Sequence, residues 1–130
     1  MTLVLDASAA VELLLRTPRG AQVEAHLTGQ LVAIPDLLYV EVCSALARLE
    51  RKGEVTGAEG DEAVRRLGHL PARRIGAGLL RDRAWAMRDR VRVADAFYVA
   101  AASVVSGALL TCDARLARAS LTNVSITLVR

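Results

Sequence analysis

Aromatic residues make up only 3% of this chain, two cysteines are present, and lysine occurs once, at Lys52. Each scarcity excludes something. With so few aromatics the core must be built of Ala, Val and Leu. The base-stacking platforms of many single-strand binders are hard to assemble from Trp85, Tyr39, Tyr98 and Phe97 alone. Cys43 and Cys112 have no paired spacing, so neither a disulfide framework nor a thiolate zinc site is expected, and a reducing cytoplasm fits best. Long apolar runs are missing too. Ala96 to Leu110 carries no charge but falls short of the roughly 20 residues a bilayer span needs, and it contains Ser103, Ser106 and Gly107. Near Met1 the apolar stretch is interrupted by Asp6 and Glu12, so no secretory leader is expected and no membrane partner follows.

What is present suits one folded unit, residues 1–130, because 130 residues of which 53% are hydrophobic and 24% charged supply a core without staples. The net charge of +3 permits polyanion binding without requiring it, and the bias to arginine reads first as genomic base composition. Apolar runs at Leu3–Leu5, Leu31–Pro35, Ala108–Thr111 and Val124–Val129 predict strands, with a weaker edge strand at Ala72–Ile75. Helices are predicted over Ala7–Leu15, Gly20–Leu27, Leu37–Lys52, Thr56–Gly68, Leu79–Arg90, Ala96–Val105 and Ala114–Ala119. Thr56 and Glu59 have the spacing of a capping box, although Gly57 and Gly60 weaken that helix. Strands alternating with helices predict an α/β fold with a mostly parallel sheet covered on both faces. The short connector Val91–Ala94 does not suit a strict alternation, so an irregular helical insertion is expected there.

In such a sheet ligands bind at the carboxyl ends of the strands, above all where strand order reverses. Asp6 closes the first strand, and Asp113 lies two residues past Thr111. Glu41 falls in the first turns of the helix after the second strand, and Asp95 opens a helix that also begins at that edge. Leu38, Ala45 and Leu49 lie beside Glu41 at helical spacing, and Tyr98, Val99 and Ala102 lie beside Asp95, so these acids stand on apolar faces. Four carboxylates in a partly desolvated cleft repel one another unless positive charge sits among them. A divalent cation supplies it, and all-oxygen ligands select Mg²⁺ or Mn²⁺ over zinc.

Ordinary structural roles compete with these assignments. Asp6 and Asp113 could cap the helices that follow them, Asp95 could serve its helix dipole, and Glu41 could snorkel or pair with arginine. Ser8 and Thr111 could cap or could hydrogen-bond a ligating carboxylate. Cys112 has no histidine near it in sequence and reads as a small buried residue rather than a reactive thiol. Arg81, Arg83, Arg88, Arg90 and Arg92 could track phosphates, although Asp82 and Asp89 among them favour an exposed helix face; Arg81, Arg88 and Arg92 are the candidate RNA contacts.

The ordered set Val4-Leu5-Asp6-Ala7-Ser8, Leu38-Tyr39-Val40-Glu41-Val42, Ala94-Asp95-Ala96-Phe97-Tyr98-Val99-Ala100 and Leu110-Thr111-Cys112-Asp113-Ala114-Arg115-Leu116 resembles PIN-domain ribonucleases, in particular VapC toxins of toxin–antitoxin pairs. The resemblance runs almost end to end, apart from the helices of the middle third. It implies a three-layer α/β/α sandwich and an acidic metal-binding quartet at Asp6, Glu41, Asp95 and Asp113, supported by Ser8 and Thr111. Homodimers and a VapB-like antitoxin occupying the active-site groove are also implied. The chemistry expected of it is Mg²⁺- or Mn²⁺-dependent hydrolysis of RNA at exposed loops, leaving 5′-phosphate and 3′-hydroxyl ends. Two other classes bear comparison. A phosphoacceptor domain would need paired acids after the first strand and a late lysine, which this chain lacks; a noncatalytic binding module would not need four acids.

Overall fold

The computed structural model describes residues 1–119 and 123–130. Five strands, β1 (Thr2–Leu5), β2 (Leu31–Pro35), β3 (Arg73–Ile75), β4 (Ala108–Thr111) and β5 (Ser125–Leu128), form one all-parallel sheet in the order β3-β2-β1-β4-β5. Among the described residues seven helices connect them: α1 (Ala7–Leu15), α2 (Pro18–Leu27), α3 (Leu37–Arg51), α4 (Gly57–Gly68), α5 (Ala77–Ala86), α6 (Val93–Val104) and α7 (Ala114–Ala117).

Chain direction across the sheet decides where these helices lie. From β1 the chain steps to β2 and then β3 in one direction, and α1 to α4 pack on one another along one face. It then crosses back to β4, and α6 covers β1, β2 and β4 from the other face. Right-handed crossovers require this division. Order therefore reverses between β1 and β4, and the crevice at their carboxyl ends is the position such sheets use for ligands. The three-layer α/β/α arrangement is as the sequence pattern implies.

The interior is aliphatic. Val4, Leu5, Ile34, Leu38, Leu109 and Leu110 are buried from both layers, and Tyr98 is the largest fully buried side chain, whereas Trp85 is 60% exposed. Two close approaches need glycine. A Cβ on Gly107 would stand 2.1 Å from the Thr2 carbonyl oxygen, so its absence lets β4 start beside β1; one on Gly20 would stand 2.0 Å from the Glu12 carbonyl oxygen, where α2 crosses α1.

Local chemistry explains most boundaries. Thr56 accepts from Glu59 N and Glu59 reaches back to Thr56 N, so the capping box overrides the two glycines in α4. Pro18 starts α2 two residues before the expected Gly20, because Thr17 caps it and proline suits a first helical position. The edge strand β3 forms, paired with β2. The helix expected over Leu79–Arg90 runs instead from Ala77 to Ala86, followed by hydrogen-bonded turns at Met87–Val91. This is the irregular segment, and α5 packs on α6. Consequently Arg92 caps α6, and Asp95 is its third residue rather than its opening one.

Candidate active site

Asp6 is positioned by the strand ladder. Leu5 pairs with Leu110, so the next residues, Asp6 and Thr111, emerge side by side from β1 and β4 at the switch point. Thr111 donates its hydroxyl to Asp6 Oδ2. Ser8 donates to Asp6 Oδ1 at 2.7 Å, and Ala9 N–H donates to the same oxygen at 2.9 Å. Each hydroxyl is itself oriented by a backbone amide, Cys112 N–H onto Ser8 Oγ at 2.9 Å and Asp113 N–H onto Thr111 Oγ1 at 3.0 Å. Both hydroxyl hydrogens are thereby turned toward the carboxylate. Asp6 is 4% exposed, and among the described residues no cation pairs with it. Burial raises its pKa against the lowering effect of those donors.

The other three acids are held differently. Tyr98, on α6, donates its hydroxyl to Glu41 Oε1 on α3 at 2.6 Å. Glu41 is half-buried at the margin of the stripe formed by Leu38, Val42 and Leu46, so it does not snorkel away, and among the described residues no arginine forms an ion pair with it. Burial and this carboxylate push the Tyr98 phenol far above its ordinary pKa, which keeps it a donor. Asp95 receives Arg92 Nη2 at 3.1 Å and Arg92 Nε at 3.2 Å, with Arg115 Nη2 at 4.0 Å. Asp113 caps α7 through Arg115 N–H at 2.9 Å and has the Arg115 guanidinium at 3.4 Å.

All four acids line one cleft of about 830 Å³, together with Ser8, Tyr98 and Arg92. Capping and cleft-lining turn out to be compatible, since Asp6 caps α1 and Asp113 caps α7 while both face it. Ser8 is not the cap of α1; it braces the capping carboxylate. The guanidinium groups of Arg92 and Arg115 already place some positive charge beside Asp95 and Asp113, in addition to any that a divalent cation would bring. Among the described residues no three His, Cys, Asp or Glu side chains stand close enough to share one ion as placed.

The donor set nevertheless suits a hard divalent cation. It consists of carboxylate oxygens, and its most buried member, Asp6, bears a charge that hydroxyls and an amide solvate without a counter-charge. Assembly around an ion requires Asp95 and Asp113 to exchange guanidinium contacts for it. Arg92 and Arg115, 60% and 64% exposed, can swing out into solvent, while the ion would take their place as the counter-charge of the buried Asp95.

The candidate RNA contacts separate. Arg81 pairs with Asp82 on exposed α5, Arg88 lies over the Trp85 ring at 4.6 Å, and only Arg92 lines the acid cleft. They belong to a helix, a turn and a cap, so the single helix face imagined for them does not exist. Tyr98 and Arg115 are site residues that sequence spacing does not identify; proximity to Asp95 and Asp113 was the sole signal. Cys112 also lines the cleft, but burial raises its thiol pKa to about 11, which keeps it protonated and unreactive. Lys52 is an exposed C-cap of α3 and does not line the cleft, whereas a phosphoacceptor site would need a lysine there. No helix among the described residues is long and apolar enough to cross a membrane.

Residues 3–121 match the model of the PIN domain family. The chain is 44% identical over 117 residues to Ribonuclease VapC3 of Mycobacterium tuberculosis, covering 89% of this chain and 85% of that protein. It is 41% identical over 127 residues to Ribonuclease VapC12 of the same species, covering 98% of each. A toxin–antitoxin complex from Klebsiella pneumoniae contains a chain of the same fold, with a TM-score of 0.68 at 14% identity over 98% of both chains.

Proposed function

The chain belongs to the PIN domain family, among the VapC ribonuclease toxins of toxin–antitoxin systems, and on that footing we propose that its four carboxylates form the hydrolytic centre. Asp6, Glu41, Asp95 and Asp113 would hold Mg²⁺ or Mn²⁺, Asp6 from the buried floor and the others from the walls. The chemistry a cation held by these residues would supply is Lewis acidity, toward a water molecule and toward charge developing on a phosphodiester. The remaining work belongs to the protein. Ser8 and Thr111 favour the ionised form of Asp6 against its burial and fix its position, Tyr98 holds Glu41 in place, and Arg92 stands at the rim to meet a phosphate once Asp95 releases it. Among the described residues no histidine lines the cleft to activate a hydroxyl or thiol, so water is the proposed attacking group.

The observation that carries this reading is Asp6, a carboxylate buried at the switch point with neutral donors on both oxygens. A capping role alone would use one oxygen and would not need two backbone-oriented hydroxyls. The chain's relation to VapC ribonucleases supports an RNA substrate and a cognate VapB-like antitoxin, a homodimer is proposed from the family resemblance alone, and two free cysteines suit a reducing cytoplasm. The test is incubation of purified protein with total RNA, with and without Mn²⁺, followed by mapping of cut ends. Mn²⁺-dependent cleavage leaving 5′-phosphates is expected, and Asp6→Asn and Asp95→Asn should be folded and inactive. Full activity in either folded variant contradicts the assignment.

A further inference from the structure

A second hollow adjoins the acid cleft and has the opposite charge. Its volume is about 480 Å³, and Arg88, Arg90, Arg92, Arg115 and Arg118 line it against only Asp89 and Asp95. The acid cleft, by contrast, is lined by seven acids and three arginines. Two segments far apart in sequence build the basic hollow, the turn and cap between α5 and α6 and the short α7 after β4. The two concavities share Arg92 and Asp95 as a common wall.

We infer that this basic hollow is a phosphate subsite, which holds the RNA backbone next to the bond being cut. The inference rests on the nuclease reading above. A polyanion is repelled by the acid cleft and attracted by the hollow beside it, so backbone phosphates adjacent to the scissile one settle there while the reacting one reaches the acids. Guanidinium groups suit this role because their planar forks match phosphate oxygens. Three of the five are ready for it. Arg90 and Arg118 form no ion pair among the described residues, and Arg88 is steadied by the Trp85 ring at 4.6 Å and by donation to the Trp85 carbonyl at 3.0 Å. Arg92 and Arg115 stand on the boundary, paired with Asp95 and Asp113. A single-stranded nucleic acid is favoured over an acidic peptide because its neighbouring phosphates are covalently tied to the one that reacts. Phosphate contacts carry no base information, so the subsite strengthens binding to every sequence alike.

Arg90→Ala, Arg118→Ala and the double variant test this, since neither residue lines the acid cleft. The first measurement is the fluorescence anisotropy of a labelled oligouridylate in EDTA, where no cleavage occurs, over a range of salt concentrations. Each substitution should weaken binding by at least about threefold and lower the magnitude of the salt slope by about 0.7. The second is Mn²⁺-dependent hydrolysis of bis(p-nitrophenyl) phosphate, which has no flanking phosphate and should proceed at the wild-type rate. Unchanged oligonucleotide affinity and slope in a double variant that melts like wild type overturn the subsite. So does loss of affinity for an acidic peptide with RNA binding retained. If wild-type protein cleaves neither RNA nor the small ester while the arginine variants still lose oligonucleotide binding, the nuclease reading fails and the subsite stands.

Discussion

The Tyr98 hydroxyl donates to Glu41 at 2.6 Å, joining the helix that carries Asp95 to the one that carries Glu41 in the wall of the cleft. Tyr98 is 1% exposed, so its ring is anchored in the core while its tip sets the position of an acid. Tyr98→Phe keeps the ring and removes only the tip. It should cost about 1–2 kcal/mol of stability and weaken Mn²⁺ binding, with both read by calorimetry. Unchanged Mn²⁺ affinity would show that Glu41 does not depend on Tyr98.

Asp6 predicts a pH signature in metal-free protein. Burial raises its folded pKa above the unfolded value, so the folded state binds the proton more tightly. Ionising Asp6 therefore lowers stability, a cost absent below the ordinary carboxylate pKa of about 3.9 and fully developed above the folded value. In EDTA, Asp6→Asn should melt above wild type at neutral pH, and the gap should close on acidification through the carboxylate range. Thermal melts over a pH series check this.

Thr111→Val leaves Asp6 with one donor fewer and Asp113 N–H without its acceptor. Removing partners from buried polar groups should cost about 1–3 kcal/mol, whereas Thr111→Ser should restore most of it. Denaturant unfolding of the two variants, together with Mn²⁺ affinity, distinguishes this bracing role from simple packing of a buried side chain.

Arg92→Gln separates two effects of one residue. Arg92 competes with a cation for Asp95 and also faces the basic hollow. The variant should bind Mn²⁺ more tightly in the absence of RNA yet show a higher KM for RNA. Titration calorimetry and steady-state cleavage report the two independently.

Much of this was accessible from local pattern. Leu3–Leu5 and Ala108–Thr111 are apolar runs ending at polar residues, so they read as buried strands, and parallel topology then places Asp6 and Asp113 at one edge. Thr56 and Glu59 announce their helix through spacing alone. Long-range partners are another matter. Tyr98 meets Glu41 and Arg115 meets Asp95 only because helices from different parts of the chain meet at one cleft, and no periodicity encodes that meeting. The end of α5 escaped for a related reason. Met87–Val91 has helical composition, but the chain must turn there to begin α6 at Arg92.

Asp6, Glu41, Asp95 and Asp113 are proposed to share a divalent cation. Anomalous diffraction from a crystal soaked in Mn²⁺ tests it most directly. A peak is expected in the cleft at a ligand distance of about 2.1 Å from an Asp6 oxygen, with Asp95 turned from Arg92 toward the ion. A cleft without a peak at saturating Mn²⁺, or a peak bound only by residues outside these four, would contradict it.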